Sequence, residues 1–363
     1  MYGFEPDQEQ TMLVEAAKRF AESDVAPLAH EADEDGSLPG RVIEKGWGLG
    51  VVQASVPEDY GGFGQRSVVS NALAAEELAA GDLAAALAVL LPATFVVPLL
   101  VAGSEEQKGQ WLPPVVEGAW QPYSAAWVEP DFDFTPDRLR TRAEAAGDGY
   151  RLNGRKAFVA YADRAPALLV YASLEDKPAV FVVPKATPGV TIGARQRLLG
   201  LGALPMYSVE LAEVVLPLDA HLASGPANAI GQLVAASQVG VAAMAVGMSR
   251  AAYEYALAYA KERVAFGEPI AHKQSIAFML AEMATEIEAV RLMVWQAAWQ
   301  LDQAQDASQS AYLALTGAAD MAMMVTDRAV QILGGHGYIR EHPVERWMRN
   351  GRGIGAFVGV GMV

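Results

Sequence analysis

Residues 331–350 read QILGGHGYIREHPVERWMRN, and residues 261–283 read KERVAFGEPIAHKQSIAFMLAEM. In the first stretch Gly334, Gly335 and Gly337 follow an apolar helical run. Glycine there lets a ligand or another chain come close to the backbone, and bare main-chain N–H groups can face a pyrophosphate. A plain glycine-rich helix break reads as well from these residues alone. In the second stretch Arg263, Phe266 and Gln274 surround a glycine–proline turn between two long helical segments. Arginine at a helix end holds phosphate by paired hydrogen bonds, phenylalanine covers a flat ring, and glutamine bridges polar groups. A helix hairpin with a surface arginine is the simpler alternative for that segment alone.

Working outward, residues from about 226 to 262, 271 to 304, 309 to 334 and beyond 341 are apolar and alanine-rich, which predicts a helical bundle. Upstream, DGYRLNGRKAFVA, ALLVYAS, AVFVVPK, GVTIGA and YSVELAEVVLP are short runs rich in valine and aromatic residues, split by glycine, proline and asparagine. They predict a β domain, with LNGRK as a hairpin turn. The first 120 residues return to helical spacing. Pro6 to Leu28 reads as one amphipathic helix, Pro39 to Gly46, Ser67 to Ala80 and Ser104 to Glu117 as others, and PEDYGGFG as a loop. The fold class expected is therefore α+β and multidomain: an N-terminal α domain over 1–120, a central β domain over 121–222 and a C-terminal bundle over 223–363.

Composition narrows the function. The chain has 363 residues, 52% apolar and 19% charged, which suits a large core and excludes disorder. Its net charge of −16 opposes a non-specific grip on nucleic acid or anionic lipid. With no cysteine, thiolate chemistry and cysteine-ligated metals are excluded, and a cytoplasmic setting is expected. The N-terminus lacks a signal-peptide layout. LAAALAVLLPATFVVPLLVA, 83–102, has the length of a membrane span. Pro92 and Pro98 interrupt it, so it reads as two buried helices. The five histidines, His30, His221, His272, His336 and His342, show no metal-ligand spacing. GLGALP at 200–205 is a turn and not a dinucleotide fingerprint, and neither a G-x-S-x-G elbow nor a P-loop occurs.

Together the two opening stretches resemble the acyl-CoA dehydrogenase family. The spacing Q-x-x-G-G-x-G-aromatic-x-x-E-x4-R-x3-N from Gln331 to Asn350 follows the family's C-terminal signature. So do R-x-x-F-G-x-P-I-x-x-x-Q from Arg263 and, earlier, VPEDYGGFG, AAEELA, GSEEQKGQWLPP, DGYRLNGRKAFV, TPGV, LGxxAxP and EVVLP. The resemblance covers nearly the whole chain in order. It implies an N-terminal α domain, a central β domain and a C-terminal four-helix bundle, in a dimer or dimer of dimers. It also implies FAD as cofactor, an acyl-CoA thioester as substrate and an electron-transferring flavoprotein as acceptor. In the family a glutamate takes the α proton while the β hydride passes to the flavin.

Carried over residue by residue, the resemblance splits. The positions that hold pyrophosphate and adenosine in a neighbour's site match Arg263, Phe266, Gln274, Gln331, Gly334 and Gly335. The flavin half departs. T-E-P-x-A-G-S-D has become VEPDFDFT, with Val128 for the threonine, Asp133 for the glycine and Phe134 for the serine. W-I-T-N has become FVAY, with Phe158 and Ala160 in place of tryptophan and threonine. L-G-x-R-x-S has become LGLGAL, with Gly202 and Leu204 at the arginine and serine positions. Val358 stands at the glutamate position, and Ala236 and Ser237 at the alternative one, so no catalytic residue is assigned.

These departures point to a degenerate subunit that completes the FAD site of a catalytic partner. The alternatives are a self-sufficient homo-oligomer with a relocated base, and a non-catalytic binding protein on the same fold. Fatty-acid or steroid side-chain β-oxidation is the expected setting.

Overall fold

The computed structural model describes residues 5–363. Seven helices come first: α1 (Gln8–Phe20), α2 (Ala29–Asp35), α3 (Gly40–Trp47), α4 (Val68–Gly81), α5 (Leu83–Val89), α6 (Ala93–Ala102) and α7 (Glu105–Val116). Their starts follow from local chemistry. Asp7 with Gln10 and Ser104 with Gln107 form reciprocal capping boxes on α1 and α7, and Ser67 caps α4. The stretch from Pro6 to Leu28 is not one α-helix. After Phe20 it widens to a π turn at 21–25 and tightens to a 3-10 turn at 26–28. Pro27 lacks the N–H that would continue the α ladder. The apolar stretch 83–102 forms α5 and α6, bent by 46° at a short break and buried throughout α5 and most of α6.

The β region is one mixed sheet. Its strands are β1 (Ser124–Ala126), β2 (Arg142–Ala146), β3 (Gly149–Ala160), β4 (Ala167–Leu174), β5 (Lys177–Pro184), β6 (Val190–Arg195) and β7 (Met206–Pro217). They run in the order β1-β4-β2-β3-β7-β6, with β5 antiparallel to β4. Leu152, Val159, Leu168, Val170, Phe181, Val209 and Val214 make a separate β core. LNGRK does not form the expected hairpin turn. Those residues lie inside β3, and the turn before it falls at Gly147–Asp148. The Asn–Gly pair makes a bulge against β7 instead, with Gly154 at φ +158. Asn153 trades two hydrogen bonds with Glu213 of β7, so a cross-strand partner overrides the local turn signal.

A buried ion pair braces this sheet. Lys156 on β3 donates to Glu129 at 2.8 Å and to the Trp127 carbonyl at 3.2 Å. Glu129 also accepts from the N–H groups of Arg140 and Thr141. Burial pushes the Lys156 ammonium down to about 8 against the pull of Glu129. Burial raises the Glu129 carboxyl, but Lys156 and the N–H donors outweigh it and hold it below the usual range.

The C-terminal part holds α8 (Ala229–Glu262), α9 (Gln274–Asp302), α10 (Ser308–Leu333) and the short α11 (Val344–Gly351). Between α8 and α9 lies a small hairpin, β8 (Val264–Ala265) with β9 (Glu268–Pro269). The 34-residue α8 is the axis of the molecule. A Cβ at its Gly247 would lie 1.9 Å from the Glu76 carbonyl of α4, so only glycine permits that approach. Glu76 and Glu77 of α4 then pair with Arg291 of α9 and Arg250 of α8. Arg346 of α11 lies 3.5 Å from the buried Asp82, and Asn350 accepts from the Leu201 N–H at 2.7 Å. The last third of the opening motif therefore fastens the bundle to both other regions.

Replacing Lys156 by methionine leaves Glu129 buried without a counter-charge. We expect a loss of about 3–5 kcal/mol in urea unfolding. A Lys156→Met/Glu129→Gln double variant is expected to recover most of it, and equal losses in both would contradict the pairing.

Candidate functional site

Arg263 is the residue that ends α8, and its N–H bonds back to the Tyr259 carbonyl at 2.8 Å. The chain then turns through Phe266 and Gly267, at φ +56 and +84. Two successive positive φ values close the two-residue hairpin β8–β9. Phenylalanine tolerates that region poorly, and Phe266 is 96% exposed as well. Lys273 Nζ lies 6.0 Å from its ring centroid, and the ring is otherwise uncovered. Gln274 opens α9 beside it and is exposed.

The glycine turn lies at the matching end of α10. Gly334 sits at φ +59 and ψ −129, a conformation suited to glycine. A Cβ on Gly334 or Gly335 would meet nothing within 4 Å, whereas one on Gly337 would strike the Val330 carbonyl at 2.4 Å. Internal packing therefore explains Gly337 but not Gly335. Gln331 is exposed on the last turn of α10. Among the described residues, the side chains of Arg263, Gln274 and Gln331 have no hydrogen-bonding partner. Open backbone, a free guanidinium and free amides fit a pyrophosphate and its adenosine.

Two histidines that the sequence left unassigned hold this turn. Tyr255 and Tyr259, one turn apart on α8, reach His342 Nδ1 at 2.7 Å and His336 Nδ1 at 2.8 Å. The two imidazoles lie nearly parallel, 5.4 Å between centroids. The tyrosine spacing of four was visible in the sequence, but their partners lie about 80 residues away.

The flavin and base positions lie elsewhere. Val128 and Ala160 are buried, and Phe158 is half-buried. Phe158 and Tyr161 both have positive φ, 54° and 52°, where β3 loses register with β7. Trp127, next to Val128, stacks on Tyr171 at 3.7 Å, and both are fully buried. Burial pushes the Tyr161 phenol up to about 12 and the Tyr171 phenol higher still, so neither serves as a base near neutral pH. Ser237 and Val358, from the two alternative base positions, come together, and Ala236 is buried beside Ser237 on α8. No carboxylate is supplied by any of them. Glu129, the acid nearest in sequence, is 4% exposed and committed to Lys156.

The two halves do not meet within one chain. Ser237 and Arg263 are separated by 26 residues along α8, a rise of about 39 Å. A groove of about 450 Å³ between α1, α4, α8 and α9 joins neither half, and paired charges from Glu76, Glu77, Arg250 and Arg291 line it.

An α region, a mixed sheet and a helical bundle with an open end suited to phosphate define the class: a multidomain helix–sheet–bundle protein. Known proteins make the assignment specific. The N-terminal, middle and C-terminal domain models of acyl-CoA dehydrogenase match residues 7–119, 124–214 and 225–360. Human mitochondrial short-chain specific acyl-CoA dehydrogenase is 34% identical over 351 residues, which is 94% of this chain and 84% of the relative. Butyryl-CoA dehydrogenase from Megasphaera elsdenii superposes with a TM-score of 0.89 at 32% identity, covering 99% of this chain and 96% of that one. Glutaryl-CoA dehydrogenase from Mycobacterium smegmatis, solved with FADH2, gives 0.87 at 27% identity, over 98% and 92%. The chain belongs to the acyl-CoA dehydrogenase family of FAD flavoproteins.

The glycine turn makes a stability prediction. Gly335→Val is expected to change the unfolding free energy by no more than ~0.5 kcal/mol. Gly334→Val is expected to cost about 1–3 kcal/mol through its backbone conformation. Urea unfolding measures both, and a large loss at Gly335 would show that internal packing fills that surface.

Proposed function

We propose that this chain is a degenerate subunit of a heteromeric acyl-CoA dehydrogenase. It completes the FAD site of a partner of the same family, which supplies the flavin pocket, the catalytic glutamate and the acyl-CoA site. The observation that carries this reading is the opposite state of the two halves. The adenosine end is open and unpartnered, while Val358, Ala236 and Ser237 at the two base positions are buried and supply no carboxylate. With those ends about 39 Å apart on one helix, the open end serves a neighbour.

In this reading Arg263 holds the pyrophosphate as a fixed cation, and the N–H groups near Gly334 and Gly335 add neutral donors. Phe266 covers the adenine face, and Gln274 and Gln331 bridge polar groups. The Tyr255–His342 and Tyr259–His336 pairs position the glycine turn for that contact. FAD, when bound, would supply the hydride-accepting ring, and an electron-transferring flavoprotein is the acceptor that the family resemblance implies. This chain moves no proton, because valine and alanine cannot and Ser237 is occupied by main-chain bonds. Butyryl-CoA, the substrate in the name of the Megasphaera relative, is the first thioester to try.

The test is to purify the chain alone and after co-expression with a family member that has a glutamate at the position matching Val358. We expect a colourless chain alone, and a yellow complex that oxidises an acyl-CoA. In that complex Arg263→Ala is expected to weaken FAD about 10- to 100-fold, the loss of one charge-assisted contact. A lone chain that binds FAD stoichiometrically and oxidises butyryl-CoA would overturn the proposal in favour of the self-sufficient enzyme.

A further inference from the structure

Residues 357–363 are buried end to end, yet they form no helix and no regular strand. Phe357 and Val358 are 8% exposed, Val360 is 4%, Val363 is 1% and Met362 is 0%. Such a segment must satisfy its own backbone polar groups, because no ladder does so. Two side chains meet that need, the buried Ser237 and the half-buried Arg66. Ser237 Oγ on α8 accepts from the Gly359 N–H at 2.7 Å and donates to the Gly361 carbonyl at 2.7 Å. The Arg66 guanidinium donates to the Val363 main-chain oxygen, and burial pushes this arginine down to about 10.

The glycines show how tightly the segment is seated. Gly359 has φ +89, and a Cβ there would lie 2.8 Å from Trp127 Cβ. One on Gly361 would lie 3.1 Å from Leu87, and one on Gly240 of α8 would lie 3.1 Å from the Met362 backbone. Beyond Met362 and Val363 a void of about 10 Å³ remains among Val51, Leu90, Ala93 and Val97. That is room for about one water molecule and none for an acyl chain.

We propose that residues 357–363 are a resident ribbon that occupies this subunit's own acyl site, latched by Ser237 and Arg66. Both candidate base positions have passed into this device: Val358 lies on the ribbon and Ser237 clamps it. The inference rests on the proposed function for locating the acyl site, through the base positions at Val358 and Ser237 that the family resemblance assigns. It deepens that reading, because it gives this chain's own half-site a fixed occupant that bars a thioester.

The test uses the full chain in its purified assembly. Hydrogen exchange should show the 357–363 amides as protected as the middle of α8. Ser237→Ala, and separately Arg66→Gln, should speed exchange of that segment roughly 5- to 100-fold, as expected for losing one or two buried hydrogen bonds, with the 250–262 end of α8 unchanged. Titrated with butyryl-CoA, this chain's own site should show no saturable binding. Free exchange of 357–363 in the unmodified chain would overturn the ribbon, as would saturable butyryl-CoA binding at this site that Ser237→Ala leaves unaltered. A chain that binds FAD alone yet keeps the ribbon protected would refute the subunit reading and leave the ribbon standing. A colourless chain with a freely exchanging ribbon would do the reverse.

Discussion

One continuous helix sets the terms for everything else in this protein. Helix α8 is 34 residues long, and its contact with α4 is so close that glycine is required at 247. Near one end it presents Ser237 to the buried ribbon. Its other end presents Tyr255, Tyr259 and Arg263 to the glycine turn and the β8–β9 hairpin. A rigid rod fixes the separation between those ends at about 39 Å. On the proposed reading this separation keeps the base positions away from the adenosine end within one chain, so that the cofactor site is shared between chains.

Charge is distributed on the same logic. The excess of 43 acidic over 27 basic residues does not reach the interior uncompensated. Inside, carboxylates are paired: Glu129 with Lys156, Asp82 with Arg346, and Glu76 and Glu77 with Arg291 and Arg250. A buried pair costs desolvation that its attraction only partly offsets, so these pairs define how regions dock more than they add stability. Among the described residues, Arg263 at the cofactor end of the proposed site has no side-chain partner, and that is where an anionic ligand needs a cation.

Much of this was legible in the sequence, for identifiable reasons. The bundle helices, the helices read from Ser67 and Ser104 and the split of 83–102 into two buried helices follow from spacing and from proline. The open glycine turn and exposed Arg263 lie where the motif spacing put them. What was not legible depends on distant partners. LNGRK carries a strong local turn signal, yet Glu213 and β7 draw it into a strand. His336 and His342 look unrelated until Tyr255 and Tyr259 bring them together. Ser237 reads as a small residue at a lost base position, and only the folded chain shows it clamping Gly359 and Gly361.

The central claim is that this chain contributes only the adenosine half of a shared cofactor site. Native mass spectrometry of the co-expressed complex tests it most directly, by counting flavins per pair of unlike chains. The account predicts one FAD per pair, because this chain's own flavin stretch carries Asp133 and Phe134 at the family's glycine and serine positions. Two FAD per pair, or one FAD per chain in a homo-oligomer of this protein alone, would contradict it.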